Sequence, residues 1–156
     1  MELIFAIDKN WNIGYKGDML FSIPADLKRF KNITQNNIII MGRKTFESLP
    51  NKQALPNRIN IVITREKNYK AENTIIVNSL DEMFSRLLEL NPYNKLKSYI
   101  IGGGEITSQL LPYCNKAYIT KMNKSFNNTD VSIPNLDKYD DWEIHNQSES
   151  YIWNGL

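Results

Sequence analysis

The sequence predicts a single α/β domain with a mostly parallel central β-sheet, an antiparallel C-terminal portion and helices on both faces. Short apolar runs of strand length alternate along the chain with segments of helical periodicity. The strand-length runs are continuously apolar, which is typical of strands buried on both faces. With 156 residues the chain is long enough for one domain, which we expect to span residues 1–156.

Six segments have the composition of strands, because they are rich in β-branched residues and are short. They cover residues 3–7, 37–41, 60–64, 74–77, 98–101 and 117–122. Ligands of such sheets bind beyond the carboxyl ends of the strands, so we expect the functional site there.

Three segments between the strands predict helices. The first follows Pro24, a residue that suits the first turn of a helix. The second covers residues 80–90, where apolar residues recur at helical spacing and Ser79 with Glu82 forms a capping box. The third, over residues 104–111, is shorter.

The composition indicates a globular protein and excludes several classes. Hydrophobic residues make up 42% and charged residues 23%, which excludes a disordered chain. A formal charge of +2 is too small for a nucleic-acid-binding surface. The apolar runs are far shorter than the ~20 residues that cross a bilayer, and the N-terminus has no basic leader, so we expect a cytoplasmic protein without a membrane partner. The single Cys114 and the single His145 predict that there is no metal site.

Two strand-to-helix junctions have the composition of phosphate sites. Residues 42–45 read Gly-Arg-Lys-Thr, which places cations beside the free N–H groups of a helix start. Residues 102–104 are three glycines, which allow a ligand to approach the backbone closely. On these residues alone, a solvated basic turn explains residues 42–45 equally well, and a tight turn is the alternative explanation for residues 102–104.

Asp26 lies in the first turn of the first predicted helix, beside Ile23, Leu27 and Phe30. An acid at this position stabilises a helix by ~0.3–1 kcal/mol through the dipole, and Asp26 alone favours that explanation. The alternative is a carboxylate in an apolar cleft that binds an amidine-like edge of a ligand.

Taken together, these motifs resemble dihydrofolate reductase. The resemblance is carried by residues 13–14 (IG), 23–31 (IPADLKRFK), 40–49 (IMGRKTFESL), 55–60 (LPNRIN), 101–104 (IGGG) and 118–120 (YIT). It implies an NADPH-dependent oxidoreductase of one-carbon metabolism and an antifolate target. The implied reaction is hydride transfer from NADPH to 7,8-dihydrofolate, which gives tetrahydrofolate.

The resemblance also implies a role for each site residue. Asp26 would bind the pterin and promote its protonation, and the catalytic residues would be Asp26, Phe21 and Thr120. Dihydrofolate would contact Ile4, Phe5, Ala6, Leu27, Phe30, Lys31, Leu49, Leu55, Arg58 and Ile101, with Arg58 on the glutamate carboxylate. NADPH would contact Ala6, Ile13, Gly14, Gly42, Arg43, Lys44, Thr45, Ile63, Thr64, Arg65, Ile101, Gly102, Gly103, Gly104, Glu105, Ile106 and Thr107.

Further details of the family carry over to particular positions. Arg43, Thr64 and Arg65 would bind the 2′-phosphate of NADPH. The peptide bond between Gly102 and Gly103 would be cis. Residues 10–21 would form a mobile loop over the nicotinamide, latched by Asp130.

The sequence departs from the family pattern at several positions. Phe21 and Thr107 replace a tryptophan and a tyrosine, and Glu105 stands where some members have a cation. Members usually end in two long antiparallel strands, but only 14 residues follow Trp142. We expect either that the chain stops just after an Asn154-Gly155 turn or that a short hairpin within residues 142–153 replaces the pair.

Three alternatives remain open. A related NADPH-dependent pterin or pyrimidine reductase would share the junctions without needing Asp26. A non-catalytic nucleotide-binding relative would tolerate Phe21 and Thr107. A monomer is expected, but a missing C-terminal strand would expose a sheet edge and make a dimer possible.

Overall fold

The computed structural model describes residues 1–152. Its strands are β1 (Glu2–Ile7), β2 (Asn12–Tyr15), β3 (Asp18–Met19), β4 (Ile38–Gly42), β5 (Ile59–Ile63), β6 (Thr74–Val77), β7 (Ser98–Gly102), β8 (Lys116–Lys121) and β9 (Val131–Ser132). Its α-helices are α1 (Pro24–Thr34), α2 (Arg43–Glu47), α3 (Leu80–Leu90) and α4 (Gly104–Leu110). Short 3-10 turns cover Pro50–Lys52, Leu111–Tyr113 and Leu136–Lys138.

Six strands form the central sheet in the order β6-β5-β4-β7-β1-β8, and every neighbouring pair in it is parallel. This confirms the predicted mostly parallel sheet. Because β4 and β7 are neighbours, the two glycine junctions that follow them lie side by side at the carboxyl edge. The order of the strands therefore brings together motifs that are about 60 residues apart in sequence.

Both faces of the sheet are covered, as predicted. Alternate residues of β1 point to opposite faces: Leu3 and Phe5 pack in the cluster that includes residues of α3, and Ile4 packs in the cluster that includes residues of α1. The residues of β4 from Ile38 to Met41 are fully buried, which explains their continuously apolar sequence.

The helix signals are also confirmed. Helix α3 has the predicted bounds, and the Ser79 hydroxyl accepts a hydrogen bond from the Glu82 N–H at 3.0 Å. The Glu82 carboxylate in turn accepts one from the Asn78 N–H at 2.8 Å, so the start of the helix is capped from both directions. Helix α1 begins at Pro24, as expected. No helix within residues 1–152 is both long and apolar enough to span a bilayer.

The antiparallel pairing lies in a second, three-stranded sheet in the order β3-β2-β9. Residues 142–152 form no strand, so the hairpin expected within residues 142–153 is absent from the described part of the chain. Residues 143–152 are mostly polar and are exposed, so they offer little apolar surface to bury against the sheet. The expected turn at Asn154-Gly155 lies outside the described residues.

Strand β8 forms one edge of the central sheet. Among residues 1–152, β1 is the strand that pairs with it, and no described strand pairs with its other side. Exposed lysines, Lys116 and Lys121, stand at its two ends. Charged residues at such an edge oppose pairing with a second sheet.

Candidate functional site

A cleft of about 1440 Å³ opens at the carboxyl edge of the central sheet. It is bordered by α1, by the β2–β3 hairpin and by the first turns of α2 and α4. Pockets for one small ligand usually enclose ~300–1,000 Å³, so this cleft has room for a substrate together with a cofactor.

Most of the predicted site residues line this cleft. They are Ile4, Phe5, Ala6, Ile13, Gly14, Asp26, Leu27, Phe30, Lys31, Gly42, Arg43, Lys44, Thr45, Leu49, Leu55, Arg58, Ile63, Thr64, Arg65, Ile101, Gly103, Gly104, Glu105, Ile106 and Thr120. Three predicted residues, Phe21, Gly102 and Thr107, are not among the residues of the cleft wall.

Packing explains why Phe21 and Thr107 lie behind the wall. The Phe21 ring is buried and stacks on Phe126, with ring centroids 6.0 Å apart and planes 16° apart. Thr107 is fully buried, and its hydroxyl donates to the Gly103 carbonyl at 2.7 Å within α4. Neither side chain has a polar group aimed into the cleft.

Two of the three glycines at the end of β7 are required by their surroundings. The Gly102–Gly103 peptide bond is cis, as the resemblance implied. Gly102 has a φ of +137°, and a Cβ there would lie 2.9 Å from the Thr45 hydroxyl oxygen. A Cβ on Gly104 would lie 2.3 Å from the Ser132 carbonyl oxygen, which is closer than two non-bonded atoms can approach. Gly102 and Gly104 therefore allow the backbone to pack closely against Thr45 and Ser132.

At one end of the cleft, Asp26 accepts a hydrogen bond from the Thr120 hydroxyl. Asp26 is half-buried in the first turn of α1, and Thr120 lies on β8 beside Ala6 of β1. No ion pair within residues 1–152 involves Asp26, so a neutral group orients its carboxylate. The charge is then available to a cationic or amidine-like ligand.

Arg58 borders the cleft near the C-terminal end of α1, and protein groups hold its guanidinium. The Nε group donates to the Pro56 carbonyl at 3.0 Å, and an Nη group donates to the Thr34 hydroxyl at 3.1 Å. The guanidinium also lies over the Phe30 ring, 6.0 Å from its centroid. Burial lowers the pKa of Arg58, but a guanidinium remains charged at neutral pH. The group is thus positioned to bind an anion.

Away from Asp26, beside the first turns of α2 and α4, the cleft carries arginines that are already paired with acids. Arg43 binds Glu47 at 2.6 Å and Glu66 at 3.5 Å. Arg65, directly after β5 and Thr64, binds Glu105 at 3.0 Å. Because Glu66 and Glu105 also line the cleft, this end is closer to neutral than its arginines suggest.

The loop over the cleft is fastened by an acid. The Lys16 N–H donates to the Asp130 carboxylate at 3.0 Å, and the Asp130 N–H donates to the Gly14 carbonyl at 3.1 Å. These bonds join the β2–β3 hairpin to the segment before β9, at the position that the resemblance assigned to Asp130.

Sequence reasoning missed several residues of the wall. They include Arg29, Ser48, Glu66, Asn78, Ser79 and Gln109. Helical spacing was the available signal for two of them, because Arg29 lies three residues after Asp26 and Gln109 four residues after Glu105. Nothing in the local sequence pointed to Ser79 or Asn78, which lie at the start of α3.

Comparisons with known proteins find similarity to dihydrofolate reductases. A family model described as dihydrofolate reductase matches residues 1–152. A dihydrofolate reductase of Buchnera aphidicola subsp. Baizongia pistaciae is 41% identical over 124 residues, which cover 80% of this chain and 71% of that protein. One of Staphylococcus haemolyticus is 36% identical over 143 residues, covering 92% and 81%. The solved dihydrofolate reductase of Enterococcus faecalis, complexed with NADP(H) and RAB-propyl, superposes with a TM-score of 0.73 at 33% identity, covering 87% of this chain and 77% of that one.

Proposed function

This chain belongs to the dihydrofolate reductase family, and from that premise we propose which of its residues carry out the NADPH-dependent reduction of dihydrofolate to tetrahydrofolate. The observation that carries the proposal is the carboxylate of Asp26, held by Thr120 at one end of a cleft whose other end has paired arginines.

Asp26 is proposed to bind the amidine edge of the pterin. The two carboxylate oxygens accept two hydrogen bonds from neighbouring N–H groups of such an edge, and the negative charge makes both bonds stronger. The same charge stabilises the protonated pterin, which the reduction requires. Thr120 keeps the carboxylate in position while Leu27 and Phe30 of α1 supply apolar walls.

The other half of the cleft fits NADPH on grounds of shape and charge. Gly42, Gly103 and Gly104 line the cleft and are proposed to border the pyrophosphate, and Arg43 with Arg65 offers cations to a 2′-phosphate. When bound, NADPH supplies the hydride. Ala6 lies on β1 beside Thr120, so the walls proposed for the two ligands adjoin. Phe21 was predicted to be catalytic, and Gly102 and Thr107 were predicted to contact NADPH. We propose instead that these three residues support the cleft wall from behind.

We further propose that the protein acts in the cytoplasm as a monomer of one domain, with no nucleic-acid partner. The formal charge of +2 and the lysines at the ends of β8 support this proposal. Light scattering during size-exclusion chromatography tests the monomeric state. A mass near 18.2 kDa is expected, and twice that value would contradict a monomer.

The decisive experiment compares Asp26→Asn with Asp81→Asn, a control in the exposed first turn of α3. Dihydrofolate-dependent oxidation of NADPH should fall roughly 100-fold or more in Asp26→Asn at neutral pH, because charge-assisted bonds contribute ~1.5–3 kcal/mol each. Activity should partly recover at low pH, where the substrate is protonated without help.

Other outcomes would identify the alternatives. Equal rates for Asp26→Asn and the unmodified protein would favour a related pterin or pyrimidine substrate. NADPH binding without turnover in the unmodified protein would favour a non-catalytic relative. Loss of activity in Asp81→Asn as well would point to a fold defect.

A further inference from the structure

We propose that Glu105 is a specificity-determining residue, which lowers the preference for NADPH over NADH by occupying Arg65. The inference rests on the proposed role of Arg65 at the 2′-phosphate. It concerns the strength of discrimination between the two cofactors and leaves the reaction itself unchanged.

The first observation is the ion pair itself. A terminal nitrogen of Arg65 lies 3.0 Å from a carboxylate oxygen of Glu105, 40 residues away in sequence. The pair joins the end of β5 to the first turn of α4, and both residues line the cleft. The side chains are 90% and 68% exposed, so a phosphate can reach the pair from solvent.

The second observation is the charge around the pair. Arg43 is held by two carboxylates, those of Glu47 and Glu66. The two arginines therefore face three acids before any ligand binds. An incoming 2′-phosphate competes with these carboxylates for the arginines, so the free energy it gains is reduced by the interactions it weakens.

Glu105 differs from Glu47, the closer of the two acids on Arg43. Glu47 lies four residues after Arg43 on the same short helix, so that pair is a local helix contact. Glu105 instead reaches Arg65 from a separate element. NADH lacks the 2′-phosphate and does not compete for Arg65, so the effect should apply to NADPH alone.

The test measures the Kd of NADPH and the Kd of NADH in separate titrations, each followed by the intrinsic tryptophan fluorescence of the protein. Glu105→Gln should tighten the Kd for NADPH roughly threefold and leave the Kd for NADH unchanged, a size typical of an exposed ion pair. The gain should shrink in ~1 M salt, where charges are screened within ~3 Å. Glu89→Gln is the matched control, because Glu89 binds Arg86 at 2.8 Å on α3, away from the cleft.

Arg65→Gln separates this inference from the proposed function beneath it. A selective loss of NADPH affinity in Arg65→Gln supports the proposed 2′-phosphate site, and an equal effect on both cofactors, or none, contradicts that site. If Arg65→Gln is selective but Glu105→Gln gains nothing, the inference is overturned and the proposed function stands. In the double variant the gain should vanish, because Glu105 acts through Arg65; a gain that persists in full overturns the inference.

Discussion

The hydroxyl of Thr120 donates a hydrogen bond to the carboxylate of Asp26, across 94 residues of sequence. The bond joins the edge strand β8 to the first turn of α1 at the cleft. Thr120 is a neutral donor, so it orients the carboxylate without neutralising its charge. A lysine or arginine in its place would neutralise that charge. Asp26 is thereby positioned while its charge stays available to a ligand.

Thr120→Val is expected to lower kcat/KM for dihydrofolate roughly 10-fold. Valine keeps the volume of threonine but removes the donor, and a hydrogen bond to a charged group contributes ~1.5–3 kcal/mol. Steady-state kinetics over several dihydrofolate concentrations measure the effect. Thr74→Val is the control, because the Thr74 hydroxyl donates to the Ala71 carbonyl at 2.7 Å outside the cleft. Similar losses of kcat/KM in both variants would contradict a specific role of Thr120 in positioning Asp26.

Arg58→Lys is expected to raise KM for dihydrofolate roughly 10-fold. The guanidinium is already held by Pro56 and Thr34, so its remaining N–H groups are presented in a fixed plane that suits a carboxylate. An ammonium has no such plane and makes weaker paired contacts. Kinetics with a dihydropterin that lacks the glutamate tail provide the control. If the variant were equally impaired with that shorter substrate, Arg58 would not bind the tail.

Asp130→Asn is expected to slow turnover several-fold with little change in the Kd for dihydrofolate. The Asp130 carboxylate accepts the Lys16 N–H at 3.0 Å, and an amide makes a weaker acceptor for the loop. Single-turnover measurements separate loop closure from binding. Asp81→Asn serves as control, because that exposed acid lies in the first turn of α3, away from the loop. A change confined to substrate affinity would contradict the latch.

The central sheet could be predicted from sequence because its strands are buried on both faces, and such strands have continuously apolar sequences. Strands β2, β3 and β9 could not, since they are short and the residues of Asp18–Met19 are exposed. Their pairing depends on tertiary contacts that leave no local pattern. Within the site, the position of Phe21 depends on Phe126, and the Arg65–Glu105 pair also joins distant segments, so neither was predictable.

Gly104→Ala is expected to lower Tm by roughly 3–10 °C, which corresponds to ~1–3 kcal/mol of overpacking in a domain of this size. The new Cβ would lie 2.3 Å from the backbone oxygen of Ser132, so helix α4 or strand β9 must move. Gly42→Ala is the matched control at the other junction. Its φ of −77° is ordinary, and its nearest new contact would be Ile106 Cγ1 at 3.5 Å. Equal Tm values for the two variants would contradict the close approach.

Asp8 couples the stability of the protein to acidic pH. Its buried carboxylate accepts hydrogen bonds from the N–H groups of Asn10, Asn12 and Phe126, and from the Asn12 side chain. Burial alone would raise the pKa of Asp8, but the hydrogen bonds outweigh it and hold the pKa below the ordinary 3.8. The stabilisation from Asp8 is therefore complete above pH ~4 and is lost as pH falls through the lower pKa of the folded state.

Asp8→Asn should consequently destabilise the protein by ~1–3 kcal/mol at pH 7, because an amide group then faces backbone donors. The difference in unfolding free energy between the two proteins should be smaller at an acidic pH, below the ordinary pKa of 3.8, than at pH 7, because the carboxylate is progressively protonated there. Denaturant unfolding at both pH values measures it, and Asp140→Asn in an exposed turn is the control. If the difference in unfolding free energy stayed constant with pH, the charge of Asp8 would contribute nothing to stability. Because these bonds anchor both the start of the cleft loop and the segment at Phe126, acid should loosen that loop before the central sheet unfolds.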